Sequence, residues 1–103
     1  MKIKILSSAI EDLASGRQFY EKQGPGLGDY FLNSLFSDID SLTLYAGIHP
    51  TFFGFHRLLS KRFPFAVYYR VEIRSVAVIW RVLDLRQNPK KTSQALTQNE
   101  EIQ

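Results

Sequence analysis

Between Val76 and Leu85 the chain carries apolar side chains on both faces of a β alternation. Val76, Val78, Trp80 and Val82 share one face; Ala77, Ile79, Leu83 and Leu85 share the other, broken only by Arg81. A strand that is apolar on both sides is stable only when covered on both sides, so this segment is expected at the centre of a sheet. Two further runs have period 2. Phe53, Phe55, Arg57 and Leu59 alternate with Gly54, His56 and Leu58, and Phe63, Phe65, Val67, Tyr69 and Val71 alternate with Pro64, Ala66, Tyr68 and Arg70. Glu72-Ile73-Arg74-Ser75 reads as a hairpin loop, so the three runs predict an antiparallel meander. Lys2 to Leu6 alternates charged and apolar residues, the mark of a strand with one buried face. Periodicity does not say where that first strand joins.

Between the first strand and the meander the spacing changes to that of helices. Ile10, Leu13, Arg17 and Tyr20 fall on one helical face with Ala14 beside them, and Ser8 followed by Glu11 has the spacing of a capping box. Gly24-Pro25-Gly26 ends this helix. Phe31, Leu35, Ile39 and Leu42 define a second helix over about Leu27 to Tyr45, bracketed by Gly47 and Pro50. The short turn between them predicts a helical hairpin. The expected class is α+β, with the order β-α-α-β-β-β and the hairpin packed on a mostly antiparallel, curved sheet. Residues 1–90 form one domain, and 91–103 form a polar C-terminal tail. From Asn88 onward the segment reads as a turn followed by a short helix near Ser93 to Leu96 or by disordered chain.

Charge is distributed unevenly. Residues 1–56 hold four basic groups and six acids, whereas residues 57–91 hold nine basic groups against Glu72 and Asp84 alone. A basic half of this kind points to a polyanionic partner, either nucleic acid or an acidic protein segment. Without cysteine, disulfides, thiolate metal sites and thiol catalysis are ruled out. His49 and His56 lack metal-ligand spacing with carboxylates, so no metal is expected. Gly24 to Gly28 joins two helices instead of leaving a strand, which is not the setting of a phosphate loop. Asp38 and Asp40, two residues apart on a helix, point to different sides and do not form a catalytic pair. The apolar runs are too short for a signal-peptide core or a membrane span, and a soluble, cytoplasmic protein is expected. Arg81, a charge on an apolar strand, is expected to pair with an acid on the helices. His56 is expected to be structural, and Trp80, Phe55, Tyr68 and Tyr69 mostly core.

Four local patterns carry a family resemblance. They are Ala9-Ile10-Glu11-Asp12-Leu13 leading to Phe19-Tyr20, Gly26-Leu27-Gly28-Asp29-Tyr30-Phe31, His56 through Tyr69, and Val82-Leu83-Asp84-Leu85-Arg86-Gln87-Asn88-Pro89. In this order and spacing the chain resembles toxins of the RelE/ParE superfamily, the plasmid stabilisation proteins of type II toxin–antitoxin systems, to about residue 90. The resemblance implies a cognate antitoxin as partner, no cofactor and a possible homodimer. RelE-like members cleave mRNA on the ribosome without a metal, and the resemblance places Arg86, with Arg57, among the cations that such chemistry needs. Two positions depart from that set. Ala66 stands where those nucleases commonly carry arginine, and Thr92 falls near their C-terminal tyrosine. The departures favour the ParE-like branch, whose members inhibit DNA gyrase and are not enzymes. A degenerate toxin that only binds antitoxin is a third reading. Under all three, Arg57, Lys61, Arg62, Arg86, Lys90 and Lys91 are candidates for contacting target or antitoxin.

Overall fold

A computed structural model describes residues 1–102, with side chains described through Thr97. The elements are β1 (Lys2–Ile5), α1 (Ser7–Gln23), α2 (Leu27–Asp40), α3 (Leu42–Tyr45), β2 (Thr51–Phe52), β3 (Phe55–Leu59), β4 (Phe65–Glu72), β5 (Val76–Asp84) and α4 (Pro89–Ile102). One five-stranded sheet has the order β1-β5-β4-β3-β2. As the alternation implied, β3, β4 and β5 form an antiparallel meander and the helical hairpin packs on it. The placement of β1 was not legible, and it proves parallel to β5, with Ile3 opposite Ala77 and Ile5 opposite Ile79. That pairing makes β5 an interior strand, and its two faces are apolar because the helical hairpin covers one and the C-terminal helix the other.

The two faces of β5 do not alternate simply. Tyr68 pairs with Arg81 but Tyr69 pairs with Ile79, so Trp80 is the extra residue of a β-bulge. The bulge shifts the phase. Ala77, Ile79 and Val82 lie in the core beneath the helical hairpin, while Val78, Trp80 and Leu83 lie in a second cluster on the opposite face. Val82 was expected on the Trp80 face and Leu83 on the other; both are exchanged because period 2 fails across the extra residue.

On the hairpin face Phe31, Leu35, Ile39 and Leu42 are fully buried, as their spacing requires. The helix breaks at Ser41, which begins a short α3, so Leu27 to Tyr45 is two helices. In α1 the buried stripe is Ala9, Leu13 and Gly16, with Tyr20 packed against the core, and Ile10 is 54% exposed. The expected stripe through Ile10 and Arg17 is therefore rotated. The cause is Gly16: a Cβ there would lie 2.5 Å from the Phe31 ring, so α2 approaches α1 where no side chain intervenes.

The Ser8–Glu11 capping box does not form, and Leu6 is the N-cap without a side-chain cap bond. The Ser8 hydroxyl instead donates to the Trp80 carbonyl (2.8 Å). Beyond Ile5, β1 no longer covers β5, so the outward backbone groups of β5 need other partners. Ser8 supplies one, and the Asp12 carboxylate supplies another by accepting the Val82 N–H (2.9 Å). Asp12 also takes Arg81, with Nε at 2.7 Å and Nη2 at 2.8 Å, which is the helix-borne partner expected for that charge.

The strand expected from Phe53 is a hairpin. Phe53 (φ 54) and Gly54 (φ 82) form a left-handed turn that folds Thr51–Phe52 back on Phe55–His56. After Asn88, whose side chain accepts the Lys90 N–H (2.9 Å), the chain is helical over Pro89–Ile102. Leu96 of this helix is fully buried in the second cluster with Phe55, Tyr68, Trp80 and Leu83. Helix α4 thus covers the sheet face left open by the hairpin.

Candidate functional site

Arg86 sits just beyond β5. Its Nε and Nη2 donate to the two carboxylate oxygens of Asp84 (3.0 and 2.8 Å), and Nη2 also reaches the Tyr20 hydroxyl (3.3 Å). The guanidinium lies 5.7 Å from the centre of the Phe19 ring. The Arg86 hydrogen bond holds the Asp84 carboxyl below its ordinary pKa, and that of Asp84 raises the Arg86 pKa. Arg86 is thereby oriented towards α1, with Nη1 left without a partner among the described residues.

Arg57 belongs to a different surface. Its guanidinium stacks 3.8 Å from the Phe52 ring centre, and it lines a cleft of about 280 Å3 with Phe53, Tyr68, Gln87 and Thr92. Arg57 and Arg86 have no partner in common: one turns onto β2, the other onto α1. Thr92 does face the Arg57 cleft, whereas Ala66 is fully buried in the second cluster. Nearby, Arg70 stacks on Phe55 (4.0 Å) and Trp80 (5.3 Å), and its Nε donates to the Gly54 carbonyl (3.1 Å). Sequence reasoning did not single out Arg70; its position on the same face of an alternating strand as Tyr68 and Ala66 was the available signal.

Lys61 and Arg62 are exposed in the bend between β3 and β4, and Lys90 and Lys91 are exposed in the first turn of α4. Asp38 is only 7% exposed and accepts from the Ser60 hydroxyl (2.7 Å).

The two histidines meet on the hairpin face of the sheet. The Tyr69 hydroxyl oxygen accepts the Gly47 N–H (2.9 Å) and lies 2.5 Å from His49 Nδ1. His56 Nδ1 is 2.7 Å from the His49 carbonyl, so that nitrogen carries the hydrogen, and its ring stacks on Tyr69. Burial, reinforced by His56, lowers the His49 pKa, and burial raises that of Tyr69. Both shifts keep the proton on the tyrosine, so the Tyr69 hydroxyl donates a hydrogen bond to Nδ1 of neutral His49. His56 is structural, tying β3 to the loop before β2. No group of three or more His, Cys, Asp or Glu side chains able to hold a metal exists among the described residues. No helix among them is long and apolar enough to cross a membrane.

This architecture has a solved counterpart. A chain of the chromosomal ParDE TA system from P. aeruginosa superposes with a TM-score of 0.75 and 22% identity, covering 84% of this chain and 97% of that one. At that identity the likeness establishes the fold: this chain has the fold of a ParDE-system chain, in agreement with the β-α-α-β-β-β reading. No family model matches the sequence. No curated protein matches it either.

Proposed function

We propose that the chain is the toxin of a type II toxin–antitoxin module and that it acts in the ParE manner, as a non-catalytic inhibitor of DNA gyrase neutralised by a cognate antitoxin. The observation that carries the reading is the ParDE-system fold over nearly the whole of both chains. The chemistry of the Arg57 cleft supports its second half. Cleavage of RNA through the ribose 2′-hydroxyl needs cations around the developing phosphorane charge and groups that move protons. The cleft offers one cation, already stacked on Phe52, and no histidine or carboxylate. Arg86, the other candidate, is engaged with Asp84 and Tyr20. Under this reading Arg57, Lys61, Arg62, Arg86, Lys90 and Lys91 serve binding to gyrase or antitoxin, not bond cleavage.

The test is pulse-labelling of DNA and protein synthesis within minutes of inducing the chain in a bacterial host, with gyrase supercoiling assayed on purified protein. The reading expects an early fall in DNA synthesis while translation continues, and supercoiling inhibited in a dose-dependent way. Supercoiling unchanged at saturating protein refutes gyrase as the target. An immediate fall in protein synthesis, with new 5′ ends in transcripts, replaces it with the endoribonuclease reading.

A further inference from the structure

Residues 47–54 run along the β2 edge of the sheet as a strap between two glycines, Gly47 (φ 97) and Gly54 (φ 82), in backbone conformations that other residues resist. The strap buries little apolar surface. Ile48 is 72% exposed, Phe53 is 57% exposed, and Pro50 and Thr51 also face solvent. A segment with so few buried contacts has low local stability, so its polar anchors decide whether it stays docked. Beside the short pairing of β2 with β3, those anchors come from Tyr69, His56 and the Arg57 backbone. The Tyr69 hydroxyl holds two points at once, accepting the Gly47 N–H and donating to His49 Nδ1. His56 Nδ1 donates to the His49 carbonyl, and the Arg57 N–H donates to the Pro50 carbonyl (2.8 Å).

The two histidine anchors answer a proton differently. His56 carries a hydrogen on Nδ1 whether its ring is neutral or charged, so its bond to the His49 carbonyl is kept either way. His49 is bound through an accepting nitrogen. A proton on that nitrogen leaves the Tyr69 oxygen facing two donors, the new N–H and the Gly47 N–H, and turns the hydroxyl hydrogen away inside a fully buried side chain's site. A buried hydroxyl hydrogen without an acceptor is unfavourable. The new charge also lies near His56, whose ring stacks on Tyr69 at 5.0 Å. Tyr69 from β4 and His56 from β3 are the titratable groups that face His49, and no carboxylate is bonded to either imidazole among the described residues. Burial, then His56, disfavours the charged ring.

We propose that protonation of His49 shifts the 47–52 strap towards a released state, so that mild acid uncovers Arg57 while the rest of the domain stays folded. Release carries β2 with it, because Thr51 and Phe52 follow His49 directly, and Phe52 is the ring on which the Arg57 guanidinium stacks. Arg57 then loses both that ring and the carbonyl bonded to its backbone N–H, and the cleft shared by Phe52, Phe53, Arg57 and Tyr68 loses a wall. The sign follows from the docked ring. A released imidazole titrates at the ordinary 6.5 and the docked one lower, so release is favoured as the pH falls through 6.5 towards the docked value. Release of this kind is independent of the gyrase reading: it sets when the cleft is open, not what enters it.

The test is hydrogen exchange read by NMR on the isotopically labelled full chain, corrected for the intrinsic dependence of exchange on pH. Protection of the Gly47 and Arg57 amides is expected to fall together, several-fold and at most about tenfold, between about pH 7.5 and about pH 5.5. The amides of the β4–β5 ladder are expected to keep their protection over the same interval. His49→Gln is expected to abolish the pH step. Tyr69→Phe removes the hydroxyl that holds both Gly47 and His49, and is expected to give weak strap protection at either pH, with far-UV circular dichroism unchanged. Equal wild-type protection at the two pH values overturns the proposal. So does a step of undiminished size in His49→Gln, or a loss in the β4–β5 ladder that keeps pace with the strap, which is unfolding of the whole domain. No arm involves gyrase, so failure here is separable from failure of the toxin reading.

Discussion

At the scale of single residues the least ordinary group is His49. Its ring is partly buried against Tyr69, and the nearest titratable groups facing it are Tyr69 from β4 and His56 from β3. Burial and then the neighbouring histidine favour the neutral form, so the folded pKa lies below the ordinary 6.5 of the unfolded chain. The unfolded state therefore binds the proton more readily than the folded one. The contribution to stability is fully present above the unfolded value and declines as the pH falls from there towards the folded pKa. The midpoint of thermal unfolding is expected to drop between about pH 7.5 and about pH 5.5, and His49→Gln is expected to flatten that drop. A wild-type midpoint that is level over this range, or a variant with the same slope, contradicts the assignment. Asp84 does not interfere. Its pKa is lowered from 3.8 by Arg86, so its contribution is present above that value and is lost only in stronger acid.

Elements are joined here by substitutes for missing strand pairing. β1 matches β5 only from Val76 to Ile79, and α1 takes over along the remaining edge through Ser8 and Asp12. α4 plays the corresponding part on the open face of the sheet. Its burial rests on a fully buried Leu96, which packs with Trp80, Tyr68 and Leu83. Removing most of that side chain leaves a cavity that the rigid sheet beneath cannot close. Leu96→Ala is therefore expected to cost about 2–4 kcal/mol of unfolding free energy in urea titration, with Trp80 emission shifted to the red. A cost under about 0.5 kcal/mol, typical of a surface position, would mean that α4 is not docked.

For the molecule as a whole, the sheet is shared by two apolar clusters, one beneath the hairpin and one beneath α4. Strands β4 and β5 contribute to both, so the two clusters are expected to unfold together. Tryptophan emission, which reports the second cluster through Trp80, and far-UV circular dichroism, which reports mainly the helices, are expected to give coincident denaturation curves. Separated midpoints would show that α4 and its cluster melt alone.

The alternation in β3, β4 and β5 and the helical spacing of Phe31, Leu35, Ile39 and Leu42 were enough to determine the element order, the meander and the hairpin, because solvent exclusion acts on each segment separately and leaves its period in the chain. The Arg81 pairing was legible for a similar reason: a charge among apolar neighbours needs a counter-charge whatever the fold. The resemblance drew attention to Arg86 but could not supply Tyr20 and Phe19 beside it. Other features were decided only by contacts between segments distant in sequence. These include the parallel seat of β1, the bulge at Trp80 that exchanges the faces of Val82 and Leu83, the turn of α1 that buries Gly16 and exposes Ile10, and the docking of α4. Ser8 shows why. Its local spacing with Glu11 favours a capping box, but the carbonyl of Trp80, 72 residues away, had no strand to pair with and takes the hydroxyl instead. A local period records which side chains avoid water; which backbone group goes without a partner is known only once the sheet is assembled.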